Sequence, residues 1–169
     1  CTKEVALQYT NRLIKMNSCD LVSGKYRTYG TSYTDSNLIH LSKLAYEHSG
    51  VGPMDLNCIE LHDAYSPEEL YTYENMGLCE PFESVKLIRS GDLEIGGRCP
   101  VNLSGGLLSL GHPLGASGAR VVCDVTRQLR GEAPSEVQIQ KRHAGMAQMV
   151  GGTVGRVNPE AGFMAIITA

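Results

Sequence analysis

The run from Asn57 to Glu69 constrains the fold of this chain more than any other segment. Asn57-Cys-Ile-Glu-Leu61 is short and apolar, as a buried strand requires. It passes directly into His62-Asp-Ala-Tyr65 and then Ser66-Pro-Glu-Glu69. That last group predicts a helix start, with serine as N-cap, proline at the first helical position and Glu69 closing a capping box. The helix is expected to reach Met76 and stop at Gly77. His62 and Asp63 then stand at the carboxyl end of a strand beside a helix N-terminus, the kind of junction where sites in open α/β sheets collect.

Strand and helix signals alternate along the rest of the chain. Residues 4–16 carry Val5, Leu7, Leu13 and Ile14 in an imperfect helical pattern, and Leu21 to Gly30 favours a strand. Thr31 to Ser36 is polar and turn-rich. Leu38, Leu41, Leu44 and Ala45 fall at helical spacing, with a stop at Ser49-Gly50 and a turn at Gly52-Pro53. Residues 80–98 read as loop with short extended pieces, and Cys99 to Leu103 as a strand entering Ser104-Gly105-Gly106. From about Leu114 a helix presents Ala119, Val122, Val125, Thr126 and Leu129 on one face and ends at Gly131. Val137 to Lys141 suggests a strand, Met146 to Gly155 is apolar and glycine-broken, and Gly162 to Ala169 is a final buried strand. The alternation predicts an α/β fold with a mixed sheet covered by helices, and 169 residues suffice for one domain with its own core.

Bulk properties exclude several functions. A net charge of -3 and a densest basic run of only Lys141-Arg142-His143 give no nucleic-acid-binding face. No apolar stretch approaches the ~20 residues that span a bilayer, and no secretory signal is seen. The six cysteines (Cys1, Cys19, Cys58, Cys79, Cys99 and Cys123) lack C-x-x-C or zinc-like spacing. They read as buried, reduced thiols of an intracellular protein, so no disulfide framework and no metal site is expected. The cytoplasm is the expected compartment, or the peroxisome or mitochondrion in a eukaryote. Because the chain opens in mid-pattern at Cys1, it is expected to be a piece of a longer protein.

Two histidines stand in chemically suggestive surroundings. His112, in Gly111-His112-Pro113, lies between a glycine-rich turn and a glycine-punctuated helix. Gly105, Gly106, Gly111, Gly115 and Gly118 allow backbone to approach a ligand, and amides at a helix start favour developing negative charge. An imidazole there serves as base or oxyanion donor, or it simply caps a turn. Glu60, His62 and Asp63 put three ionisable groups at the mouth of an apolar strand. The plainer reading is that His62 and Asp63 cap the next helix or pair with each other. Glu68 and Glu69 are better explained by capping than by acid–base work, and His40, His48 and His143 by structural roles.

Taken together, Glu60-Leu-His-Asp-Ala-Tyr-Ser-Pro-Glu-Glu-Leu70, Tyr73-Glu-Asn-Met-Gly-Leu-Cys79 and Pro100-Val-Asn-Leu-Ser-Gly-Gly-Leu-Leu-Ser-Leu-Gly-His-Pro-Leu-Gly-Ala-Ser-Gly118 resemble the C-terminal domain of thiolases. Within that superfamily they are most similar to the sterol-carrier and lipid-transfer branch, over about Val22 to Ala169. The resemblance implies that residues 1–169 form a thiolase-like half-domain whose partner, the N-terminal half with its nucleophilic cysteine, lies outside this chain. It implies an acyl-CoA acyltransferase working on carbon–carbon bonds of CoA thioesters, in a homo-oligomer. Coenzyme A enters as part of the substrate, with no separate cofactor. His112 would activate the nucleophile and hold the thioester oxygen as it becomes an oxyanion, with His62 facing the same oxygen. Tyr65, Ser104, Gly105, Gly106, Gly111, Pro113 and Gly151 would contact the acyl-CoA substrate, and alone this half would expose apolar surface and be inactive.

Departures from the family pattern carry information of their own. Ala64 stands where the His-Asp-Cys-Phe motif has cysteine, and Met149 aligns with the cysteine of a Cys-x-Gly motif. Neither side chain moves a proton. Residues Arg156 to Gly162 read as an insertion. Some lipid-transfer-type relatives are retro-aldolases on CoA thioesters that use tyrosine and histidine and work with an OB-fold/zinc-ribbon partner, which draws attention to Tyr65. A third reading is a non-catalytic lipid-CoA binding or assembly domain.

Overall fold

The computed structural model describes residues 1–23, 36–154 and 158–169. The described residues form α1 (Lys3–Ala6), β1 (Lys15–Ser23), α2 (Asn37–Ser49), β2 (Cys58–Glu60), α3 (Ser66–Asn75), α4 (Ser84–Arg89), α5 (Gly106–Leu110), α6 (Ser117–Arg130), β3 (Ala144–Val154) and β4 (Asn158–Thr168). The four strands form one sheet in the order β1-β4-β3-β2. β1 pairs with β4 and β4 with β3 antiparallel, while β2 runs parallel to β3, so the sheet is mixed as the alternation predicts.

Helices cover both faces because the long strands alternate apolar residues across the pleat. Met146, Met164 and Ile166 face α2, where they bury Leu38, Leu41 and Ala45. Ala147, Met149 and Ile167 face α6, against Val121, Val125 and Leu129. Each such buried aliphatic side chain contributes roughly 1.5–3 kcal/mol. Gly145 sets how closely α6 approaches the sheet: a Cβ there would lie 2.7 Å from Val125 Cγ1 and 2.9 Å from Cys58 Sγ.

Helix ends follow local chemistry. Ser36 caps α2 through Leu38 N, 3.2 Å away, and Gly50 ends it in the left-handed conformation at φ 70°. Gly131 does the same for α6 at φ 71°.

Several expectations are corrected. Residues 4–16 are not one helix: α1 stops at Ala6, Val5 and Leu7 are exposed, and Lys15 onward pairs with β4. With no surface to bury its apolar stripe, a weak pattern yields to sheet pairing. The strand expected over Leu21–Gly30 holds for Leu21 to Ser23, and residues 24–30, like 31–35, fall outside the described residues. Residues 80–98 include the short helix α4, and α5 replaces a simple glycine turn. Cys99–Leu103 makes a single parallel bridge, Val101 to Ile59, rather than a full strand.

Val137 to Lys141 is not a strand either, because side chains satisfy its backbone. Gln128 Nε2 donates to Val137 O at 2.9 Å, and Ile139 N donates to Gln128 Oε1 at 3.0 Å. Helix α6 starts at Ser117 and buries Ser117, Val121, Val125, Gln128 and Leu129, leaving Leu114 and Ala119 exposed. Of the segment read as an insertion, Asn158 to Gly162 belong to β4 and pair with β3, and residues 156–157 fall outside the described residues. Of the cysteines, Cys58 and Cys99 are buried, but Cys1, Cys19 and Cys123 are exposed; all are free. Among the described residues no helix is long and apolar enough to cross a membrane.

Candidate active site

The site grows from the end of β2. Its outer edge is closed by the segment around Val101: Ile59 N donates to Pro100 O at 3.0 Å and Asn102 N donates to Ile59 O at 2.8 Å. Asn102 adopts φ 51°, and its side-chain oxygen accepts from Leu61 N at 2.8 Å. The next amide, His62 N, donates to Gln148 Oε1 of β3 at 2.9 Å. Both amides just beyond the three-residue strand are therefore held by side chains, which fixes where the following His62 and Asp63 point.

The two histidines meet here. Their ring centroids are 5.1 Å apart at an interplanar angle of 79°, an edge-to-face contact. His62 is buried and places Nδ1 2.8 Å from Glu68 Oε1. His112 is half-buried and places Nδ1 2.8 Å from Ser117 Oγ, the first residue of α6. Ser117 Oγ in turn donates to Pro113 O at 3.2 Å, so it accepts from His112 Nδ1–H. A carboxylate likewise accepts from His62 Nδ1–H. Both rings thus keep Nε2 free of their tethers, ready to accept a proton.

Glu60 and Asp63 strap the glycine-rich loop to this strand end. Glu60 Oε2 accepts from Ser104 Oγ at 2.6 Å and Oε1 from Ser104 N at 3.0 Å. Burial nevertheless outweighs those bonds and pushes the Glu60 carboxyl up to about 7. Asp63 Oδ1 accepts from Leu107 N at the start of α5. Gly106, at φ 64°, lies directly against that carboxylate and leaves no room for a Cβ. Asn102 Nδ2 donates to Glu69 Oε1 at 3.2 Å, and burial raises the Glu69 carboxyl, helped by the nearby charge of Asp63. Among the described residues no three His, Cys, Asp or Glu side chains gather as a metal site.

The capping box expected at Ser66 does not form. Tyr65 is the N-cap of α3 and no side chain caps the helix. Glu68 turns to His62 and Glu69 to Asn102, so the pair belongs to the site's hydrogen-bond network. Asp63 bonds Leu107 N rather than His62.

The remaining sequence-derived candidates distribute as follows. Ser104 and Gly106 are tied to Glu60 and Asp63, and Gly111 closes α5 by donating to Leu107 O at 2.9 Å, immediately before His112. Gly105, at φ 102°, packs on Ser109, and Pro113 anchors Ser117. Tyr65 is 73 % exposed, and Gly151 is exposed on β3 opposite Ala161. Sequence reasoning missed Glu68, Gln148 and Ser117 as partners of the histidines. For Gln148 a signal existed: a polar amide between Ala147 and Met149, fully buried in an apolar strand, needs a specific partner.

Comparison with known proteins places the chain among relatives. The family model described as "Thiolase C-terminal domain-like" matches residues 25–158. The benzoylsuccinyl-CoA thiolase subunit BbsB of Thauera aromatica is 43% identical over 107 residues, covering 63% of this chain and 28% of that protein. Sterol carrier protein 2 of Rattus norvegicus is 49% identical over 92 residues, 54% of this chain and 17% of that protein. The solved structure of the Ltp2-ChsH2(DUF35) aldolase superposes with a TM-score of 0.73 at 25% identity, covering 90% of this chain and 39% of that chain. The chain therefore spans well under half the length of each of these three proteins.

Proposed function

The chain belongs to the thiolase C-terminal domain-like family, and from that premise we propose that it is the C-terminal catalytic half of an acyl-CoA acyltransferase that makes or breaks a carbon–carbon bond next to a CoA thioester. The observation that carries this reading is the contact of His62 and His112, each tethered at Nδ1. Two imidazoles with their Nε2 atoms untethered suit a reaction that moves a proton while an oxyanion forms on the thioester carbonyl. Removing one such oxyanion donor typically costs about 10²–10³ in rate. In this reading His112 activates a cysteine supplied by the N-terminal half and His62 faces the thioester oxygen. Ser104, Gly105, Gly106, Gly111, Pro113 and Gly151 line the acyl-CoA channel, and the intact enzyme is a cytoplasmic homo-oligomer. Coenzyme A is a substrate moiety.

A second reading, a retro-aldolase on CoA thioesters working with an OB-fold/zinc-ribbon partner, is favoured by Ala64 and Met149, neither of which carries a transferable proton. The aldolase among the structural relatives agrees with it, and Tyr65 is then the tyrosine to follow. The two readings separate by co-substrate. A thiolase-type enzyme cleaves a 3-oxoacyl-CoA only when free CoA is added, because the CoA sulfur must take the departing acyl group. An aldolase cleaves a 3-hydroxyacyl-CoA without CoA, releasing an aldehyde or ketone. Assaying the intact protein on both substrates supports the first reading if only the former reacts, the second if only the latter does, and rejects both if neither does.

A further inference from the structure

We propose that Glu68 is a positioning residue that makes His62, rather than His112, the ring that takes up the C2 proton of the acyl-CoA during turnover. The proposal rests on the acyl-CoA reading above and assigns the proton carrier within it.

The two rings differ in what holds them. His112 Nδ1 bonds a neutral hydroxyl, Ser117 Oγ, whose own proton goes to Pro113 O. His62 Nδ1 bonds a carboxylate, Glu68 Oε1, at 2.8 Å. The other Glu68 oxygen, Oε2, is buried without a hydrogen-bond partner among the described residues, so nothing competes with the imidazole for the carboxylate. Both side chains of this pair are buried, so the attraction between them is weakly screened. A proton arriving at His62 Nε2 creates a cation with a counter-charge already beside it. One arriving at His112 Nε2 has only a hydroxyl dipole.

The pair is also rigid. Glu68 projects from the first turn of α3, and the His62 main chain is held by Gln148 Oε1 at 2.9 Å. The ring also meets that of His112 edge to face. Ala64 and Met149 have no proton to exchange, so neither position can stand in for the imidazole.

In the condensing direction the C2–H bond of the acyl-CoA breaks and its electron pair forms the enolate, with negative charge on the thioester oxygen. The proton lands on His62 Nε2. In cleavage the cysteine sulfur supplied by the N-terminal half has added to C3 and keeps the C3 acyl group as a thioester, the C2–C3 pair becomes the enolate, and His62 Nε2–H returns the proton to C2.

The test uses the intact protein, with acetyl-CoA in D₂O as the probe for hydrogen exchange at C2, alongside turnover of the carbon–carbon bond substrate. Glu68→Gln keeps size and an acceptor oxygen but removes the charge. It is expected to lower kcat and C2 exchange together by about 10²-fold, the scale of positioned proton transfer, with KM within about threefold. Glu68→Asp is expected to recover part of the loss. Nitrogen NMR of the unsubstituted protein supplies a readout independent of how the variants fold: His62 should carry its proton on Nδ1. Wild-type kcat and exchange in Glu68→Gln, or a bare Nδ1 on His62, would overturn the proposal while leaving the acyl-CoA reading intact. Absence of both turnover and exchange in the unsubstituted protein would instead overturn that reading, and this proposal with it.

Discussion

His62 and His112 come from separate segments of the chain, yet their rings meet edge to face with centroids 5.1 Å apart. The contact depends on two tethers of different chemistry, a carboxylate from α3 for one ring and the hydroxyl that opens α6 for the other. It depends equally on the main chain beneath His62, where a strand of three residues ends and side chains take over its hydrogen bonds.

Gly106→Ala is expected to disrupt the strap between the glycine-rich loop and the end of β2. A Cβ at this position runs into the Asp63 carboxylate, and φ 64° is unfavourable for any side chain. The backbone strain alone costs about 1–3 kcal/mol, and displacing Asp63 frees Leu107 N. Urea unfolding should show a loss of at least that size. An unchanged midpoint would mean that the loop is not strapped in this way.

Much of the fold was legible because its signals are local. Gly50 ends α2 where the glycine stop was expected, β2 falls within Asn57–Leu61, and the buried strand expected over Gly162–Ala169 is the later part of β4. What escaped was decided by long-range pairing. Lys15–Ser23 is a strand only because β4 lies beside it, and Val137–Lys141 is not one because Gln128 reaches it first. The site divided along the same line. Both histidines were visible in motifs, whereas Glu68 was read as a cap because local spacing cannot show that it turns back to His62. Gln148 approaches from β3, far along the chain, and only the sheet brings it there.

Gln148→Leu removes the acceptor for His62 N at a fully buried position. Leaving that amide unpaired is expected to cost about 1–3 kcal/mol. Because the main chain that aims the His62 ring loses its anchor as well, kcat should fall more than KM rises. Equal stability in chemical denaturation would contradict the assigned bond.

Glu60 makes stability depend on pH in a definite direction. Its carboxyl rises from 4.5 to about 7 on folding because burial disfavours the charged form. The folded state therefore holds this proton more tightly than the unfolded chain. The stabilisation is fully present below 4.5 and is lost as pH rises through about 7. Its size is on the order of 3 kcal/mol. Glu60→Gln should flatten this part of the profile between pH 5 and 8, measured as the difference between the two proteins. Parallel profiles would show that Glu60 does not titrate differently on folding.

The most direct test is a double-mutant cycle of His62→Ala and His112→Ala in the intact protein, read as turnover of an acyl-CoA carbon–carbon bond substrate. Each single change is expected to cost at least about 10²-fold, and the double change less than the product of the two, since both rings serve one carbonyl. Unchanged turnover in His112→Ala would contradict the account.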